Sequence, residues 1–224
     1  MWIIAFLLLL AVFTLPQWWV GRVLKSHSDD REDFPGTGGE LAQHLIKVQG
    51  LEGVTVEETL AGDHYDPKDK VVRLTPDKLN GRSLTAIVVA AHEVGHAIQD
   101  YNKEKTFNAR IQAAKFANVA ERIAPIAFWI SPLLAAMNPA ASRVSLVVAV
   151  LSVLASTLVH LITLPVEWDA SFGKALPILE EGEYLNEQDM KSARQILLAA
   201  ALTYVAGSLA SSLNVWRWLK YLRR

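Results

Sequence analysis

The chain has 224 residues, of which 51% are hydrophobic and 20% charged, and its 22 Lys+Arg against 23 Asp+Glu give a formal net charge of -1. A balance this even offers no electrostatic argument for a nucleic-acid partner, so we expect none. The chain has no cysteine, which rules out a disulfide scaffold, a thiolate zinc site and a cysteine nucleophile.

Charged residues are absent from four stretches, 2–20, 123–137, 144–164 and 196–215. A bilayer core requires about 20 apolar residues per helix, so these stretches predict three to four transmembrane helices. The fourth is the weakest candidate because serine, threonine, glycine and asparagine dilute it. The first lacks a basic leader and small residues at a cleavage position, so it predicts a permanent anchor rather than a signal peptide.

The region between the first two stretches is polar and carries helix and strand signals. Apolar spacing from Leu41 predicts a helix that ends just before Gly50, since glycine commonly follows a helix end. Residues 54–56 and 71–74 are short runs that predict strands. Ser83 predicts the N-cap of a helix that continues to about residue 100.

The strongest chemical signal lies on that last helix, where residues 92–96 read His-Glu-Val-Gly-His. His92 and His96 are one helical turn apart, so both imidazoles can reach one zinc ion. Glu93 is then placed to act as the general base that takes a proton from water. Chance predicts only about 0.01 occurrences of this pattern in a chain of this composition. The pattern therefore predicts a zinc site with one ion per chain.

A third protein ligand is expected because catalytic zinc usually has three. Gln99 and Asn102 occupy the positions where an extended three-histidine motif needs glycine and histidine, so a carboxylate on a second helix remains. Glu167 is the preferred ligand, and Asp169 is the alternative. These two residues are about 200° apart on a continuous helix, so they cannot both face one metal. Asp169 is then expected to support the site by contacting a basic group or a ligand histidine.

The segment 63–67, Asp-His-Tyr-Asp-Pro, admits two interpretations. His64 or Tyr65 could donate to the oxyanion of a tetrahedral intermediate or contact the substrate. The favoured alternative is a turn, closed by the aspartate and proline, that leads into the strand at 71–74.

Several of these motifs together resemble one known family. They are Asp-His-Tyr-Asp-Pro at 63–67, Val-Arg-Leu at 72–74, Ala-Ala-His-Glu-Val-Gly-His-Ala-Ile-Gln at 90–99 and Leu-Pro-Val-Glu-Trp-Asp-Ala-Ser at 164–171. In this combination, and over most of its length, the chain is similar to the YugP-like membrane-bound neutral zinc metallopeptidases. The resemblance implies a peptidase of the gluzincin type, whose third-ligand helix reads Glu-x-x-Ala-Asp. Ser171 stands here where that aspartate is expected. The gluzincin layout also implies that the strand before the zinc helix offers a free edge to an extended peptide.

The sequence thus predicts a mainly α integral membrane protein with three to four transmembrane helices and a gluzincin-like α(+β) catalytic region at the membrane surface. Its segments are a transmembrane anchor (1–20), the catalytic region (21–122), a transmembrane hairpin (123–164), the third-ligand segment (165–195) and an apolar helix with a basic C-terminal tail (196–224). Basic residues after the first span and before the second predict a multi-pass cell-membrane protein with its catalytic region in the cytoplasm.

The predicted function is zinc-dependent endopeptidase activity, with Glu93 as base and His92, His96 and Glu167 as ligands. Its partners would be the lipid bilayer and a polypeptide substrate, either a membrane protein or one close to the membrane. Two other functions stay open. One is a non-catalytic zinc-binding scaffold or regulator, and the other is an amidohydrolase of small molecules.

Overall fold

A computed structural model of the chain describes residues 2–202, apart from the side chains of 2–13, 117, 120, 121, 124, 139, 149, 150, 152–158, 160 and 161. The helices are α1 (Trp2–Ser26), α2 (Gly38–Val48), α3 (Pro76–Leu79), α4 (Leu84–Tyr101), α5 (Lys105–Met137), α6 (Pro139–Trp168), a π-helix (Asp169–Ala175) and α7 (Leu176–Glu181). A further helix, α8, begins at residue 187 and is described to residue 202. The strands are β1 (Thr55–Glu58), β2 (His64–Asp66) and β3 (Val71–Leu74).

Helix α4 forms the centre of the core. Every residue from Leu84 to Gln99 is buried, as expected for a helix that neighbours surround on all sides. The helix begins where the sequence predicts, because the Ser83 hydroxyl accepts a hydrogen bond from the backbone N–H of Ala86. Helices α2, α3 and α7, the π-helix and strand β3 all pack on it. Residues 84–99 of α4 therefore lie in a water-poor environment.

The sheet has three strands in the order β1-β3-β2. Strand β3 pairs in parallel with β1 and antiparallel with β2. The strand nearest in sequence to α4 is thus the central one, and the expectation that it offers a free edge is wrong. The reason is β2, a three-residue strand in the segment that was expected to be a turn only. The aspartate turn exists as well, since Asp66 Oδ1 accepts from the backbone N–H of Lys68 at 2.9 Å.

Helices α5 and α6 form a long antiparallel hairpin. Asn138 starts α6 by accepting a hydrogen bond from the N–H of Ala140, and the Ser145 hydroxyl donates to the carbonyl oxygen of Ala127 across the hairpin. The hairpin carries the chain away from the core and back again. It thereby returns Glu167, at the end of α6, to the face of α4.

Among the residues that the structure describes, with the gaps named above, no helix combines the length and the apolar character that crossing a membrane requires. The prediction of transmembrane helices at 2–20, 123–137 and 144–164 is therefore wrong for this part of the chain, and the fourth candidate, 196–215, lies mostly outside it. Proline and serine interrupt the second stretch, and serine, threonine and histidine interrupt the third. The predicted orientation, with the catalytic region in the cytoplasm, depended on these spans and is not supported without them.

Candidate metal centre

Helix α4 places His92 and His96 on one face, with their ring centroids 4.8 Å apart. The side chains are 4% and 3% exposed. This face is covered by the π-helix, which approaches so closely that a Cβ atom on Gly95 would lie 2.7 Å from the carbonyl oxygen of Ala170. Only glycine permits that approach, which brings the end of α6 within reach of both imidazoles.

Glu167 reaches both histidines from α6. Its Oε2 lies 3.3 Å from Nε2 of His92 and 3.2 Å from Nε2 of His96. Its side chain is completely buried, and its Oε1 accepts no hydrogen bond but forms an ion pair with Arg110, whose Nη2 is 3.0 Å away. One ligand atom from each of the three residues lies within 4.8 Å of the other two. Two imidazoles and one carboxylate at this spacing can hold a metal ion.

The electrostatics of this cluster favour a positive charge between the carboxylate and the imidazoles. Burial alone would raise the pKa of Glu167, but the charge of His96, hydrogen bonds from both histidines and the nearby Arg110 hold that pKa well below its ordinary value. Burial alone would lower the pKa of His92, but its hydrogen bond to Glu167 and the negative charge of Glu93 raise it. Either a proton or a cation held between these groups offsets the cost of burying the carboxylate.

The orientation of His96 is fixed by Gln99, which lies one turn further along α4. The Gln99 amide nitrogen donates to the carbonyl oxygen of Val166 at 2.9 Å and to Oδ2 of Asp169 at 2.8 Å. Both partners only accept, so the amide oxygen must be the atom that faces Nδ1 of His96 at 2.9 Å. Nδ1 is therefore the nitrogen that donates to Gln99, and Nε2 is the ring nitrogen that faces Glu167 and that a metal would bind.

Ser171, on the π-helix, orients the ring of His92 as Gln99 orients that of His96. Its hydroxyl lies 3.3 Å from the carbonyl oxygen of Leu197 on α8, to which it donates, and 3.1 Å from Nδ1 of His92, from which it accepts. Both imidazoles thus direct Nε2 toward the same carboxylate oxygen. Once Nε2 carries no proton, two imidazole nitrogens and a carboxylate oxygen that converge in this way fit a metal cation.

A profile of the family described as "Putative neutral zinc metallopeptidase" matches residues 2–223. The chain belongs to this zinc metallopeptidase family. A curated relative from Bacillus subtilis (strain 168), named "Putative membrane protease YugP", is 38% identical over 186 residues, which cover 82% of this chain and 79% of that protein. No solved structure matches significantly. Within the family's chemistry, the buried His92, His96 and Glu167 cluster fits a single zinc site.

The remaining residues that the sequence singled out lie at different places around the cluster of His92, His96 and Glu167. Glu93 is buried, with 7% exposure, and its charge acts on His92. Asp169 contacts Gln99 and, at 3.1 Å, the Lys174 ammonium, and it is not part of the three-residue cluster. Burial alone would raise the pKa of Asp169, but hydrogen bonds from Gln99 and Lys174 and the charge of Lys174 lower it. Asp169 therefore acts on His96 only indirectly, because it binds Gln99 and Gln99 binds His96.

The structure separates the two candidates of segment 63–67. His64 turns back on its own segment, with Nδ1 2.8 Å from the carbonyl oxygen of Gly62. Tyr65 points inward, donates from its hydroxyl to Oδ2 of Asp100 at 2.8 Å, and packs 6.4 Å from the ring of Phe107. Burial and this hydrogen bond raise the pKa of Tyr65. Phe107 in turn lies 6.1 Å from the His96 ring, so Tyr65 borders the site only through that phenylalanine.

Three residues at the site were not singled out as functional from the sequence: Gln99, Ser171 and Arg110. Gln99 drew notice only because it is not the glycine of the longer motif, and Ser171 only because it replaces an aspartate. That replacement was an available signal, since the side chain at this position contacts His92. Arg110 belongs to none of the sequence motifs, and its neighbours in the sequence do not distinguish it from the other basic residues of α5.

Proposed function

We propose that this protein is a zinc-dependent endopeptidase in which His92, His96 and Glu167 hold the metal and Glu93 is the general base. The observation that carries the proposal is the buried cluster, whose two histidines are fixed in the tautomer that turns Nε2 toward Glu167. Zinc, when bound, supplies the Lewis acidity that polarises a peptide carbonyl and makes water more acidic.

The chain's own residues provide the rest of the chemistry. Glu93 accepts a proton from the attacking water and delivers it to the leaving amine. Gln99 and Ser171 keep the ligand imidazoles from rotating, and Asp169 with Lys174 holds Gln99 in place. Burial of α4 excludes bulk water from the ligand face and so strengthens each of these electrostatic interactions.

The decisive experiment compares the purified wild type with Glu93→Gln in hydrolysis of an unfolded protein such as casein, with and without a chelator. We expect chelator-sensitive hydrolysis by the wild type. Glu93→Gln should bind zinc normally and lose hydrolysis, because the substitution removes the base but no ligand. Full zinc occupancy without hydrolysis by the wild type would favour the scaffold alternative. Cleavage of small amides alone would favour the amidohydrolase.

We also propose that the enzyme acts in association with a membrane, on a polypeptide at or near it. Two observations support this location. The Bacillus subtilis relative is named a membrane protease, and α5 exposes large apolar side chains, among them Phe116, Ile126 and Trp129 at 64%, 67% and 67%. Cell fractionation followed by flotation of the purified protein with lipid vesicles tests it. Recovery in the soluble fraction with no flotation would refute this location and leave the peptidase proposal intact.

A further inference from the structure

Arg110, on α5, is the cation that faces the buried carboxylate of the metal cluster. Its Nη2 lies 3.0 Å from Oε1 of Glu167. The side chain is 20% exposed, and its guanidinium lies 5.9 Å from the centre of the buried Phe107 ring. A guanidinium that lies between an aromatic ring and a carboxylate has little freedom to move away.

The two oxygens of Glu167 therefore have different surroundings. Oε2 faces Nε2 of both His92 and His96, whereas Oε1 faces Arg110. The terminal torsion of glutamate is broad and roughly two-fold, so a carboxylate without such a neighbour could exchange its oxygens or present both of them to one metal. Because Arg110 lies beside Oε1 alone, the two oxygens of Glu167 are no longer interchangeable.

The neighbouring groups leave this role to Arg110. Its Nη1 lies 3.4 Å from Nδ1 of His96, but that nitrogen already donates to Gln99 at 2.9 Å and so has no lone pair to accept from Arg110. Lys174, the other cation close to the site, lies 3.1 Å from both Asp169 and Glu104 and is engaged there.

We propose that Arg110 is a positioning residue of the metal centre, which holds Oε1 of Glu167 so that the carboxylate gives the metal Oε2 alone. Coordination through one oxygen leaves room on the metal for water and for a substrate carbonyl, which a peptidase needs. The inference rests on the proposed zinc site, and it extends that site by a residue that sets how the carboxylate binds.

The test uses the full-length protein and two substitutions, Arg110→Gln and Arg110→Lys, with Lys115→Gln as the matched control. Lys115 is an exposed cation on the same helix, so its loss removes a charge without touching the site. Zinc affinity is measured by competition with a chromophoric chelator. Cobalt(II) in place of zinc reports the coordination number, since four-coordinate cobalt absorbs visible light more strongly than five-coordinate cobalt.

We expect Arg110→Gln to weaken zinc binding about 10- to 100-fold, as is usual when a partner of a metal ligand is removed. The cobalt spectrum should shift toward five-coordination because both oxygens of Glu167 become available. Arg110→Lys keeps the charge and should recover part of the affinity, and Lys115→Gln should change neither property. A folded Arg110→Gln protein with wild-type affinity and a wild-type cobalt spectrum would overturn the proposal.

A measurement without metal separates this inference from the zinc proposal. In chelator-treated protein, Arg110→Gln should lower the melting temperature in the wild-type background and much less in a Glu167→Gln background, because the partner charge is then missing. Equal losses in both backgrounds would refute the contact even if the wild type binds zinc. If the wild type binds no zinc although this coupling is present, the metal site is refuted and the Arg110–Glu167 pair stands alone. Should Arg110→Gln not fold, Arg110→Lys carries both measurements.

Discussion

The role of Gln99 can be tested by replacing it with leucine, which has a similar volume and makes no hydrogen bond. Gln99 is fully buried and makes three hydrogen bonds, one to His96, one to Val166 and one to Asp169. The substitution leaves the His96 Nδ1–H without its amide partner, which costs about 1–3 kcal/mol for a buried group, whereas the Val166 carbonyl still accepts from the backbone N–H of Asp169. Asp169 loses less, because it is 38% exposed and keeps Lys174.

The effect on the metal follows from the tautomer. Without the amide oxygen, His96 can carry its proton on Nε2, which then blocks the lone pair that a metal needs. Loss of a partner of this kind typically lowers metal affinity about 10- to 100-fold, which is about 1.4 to 2.7 kcal/mol of binding free energy. We therefore expect Gln99→Leu to be less stable than the wild type and to bind zinc correspondingly more weakly.

Chelator competition at neutral pH measures the zinc affinity, and thermal unfolding with and without zinc measures the stability. The control is Gln112→Leu, the same chemical change at an exposed position on α5. It should leave both quantities close to those of the wild type. A folded Gln99→Leu protein with undiminished zinc affinity would show that Gln99 does not orient His96.

Three further outcomes are expected. Glu167→Ala should lose bound zinc and nearly all hydrolysis, whereas Asp169→Asn should keep the metal with reduced turnover; zinc stoichiometry decides, and the reverse result would exchange the two roles. Gly95→Ala should weaken both zinc binding and thermal stability, because its Cβ would meet a backbone carbonyl at 2.7 Å and push the π-helix away; a melting temperature equal to that of the wild type would contradict the close approach. Because the pKa of Tyr65 is raised in the folded protein, its contribution to stability is complete below about pH 10, the ordinary tyrosine value, and is lost as pH rises beyond it. The free energy of unfolding in urea should therefore fall more between pH 8 and pH 10.5 for the wild type than for Tyr65→Phe. Equal falls in both proteins would argue against this contribution of Tyr65.

Local features of the fold could be predicted from the sequence because they depend on neighbours along the chain. The Ser83 cap, the end of α2 before Gly50 and the strand at 71–74 all occur where the sequence indicates. The spacing of His92 and His96 is also a local property, since helical geometry alone puts them on one face. The structure brings both histidines to Glu167, although their roles as ligands remain a prediction.

Other features depend on contacts between distant segments, which the sequence did not reveal. Gln99 meets Val166 across 67 residues, and Ser171 meets His92 across 79. These contacts require the π-helix and the close approach at Gly95, and neither has a strong sequence signal. The transmembrane prediction is wrong for the described residues, because no helix among them is long and apolar enough to cross a membrane.

The separation of the ligands along the chain also has a consequence for biosynthesis. His96 and Glu167 are 71 residues apart, with the whole α5–α6 hairpin between them. At a translation rate of about 5–20 residues per second, a ribosome adds these residues in about 4 to 14 s. During that interval the nascent chain holds two histidines of the site but not its carboxylate. The complete ligand set can therefore assemble only after the hairpin has emerged and folded back, which delays any protease activity until most of the chain has been made.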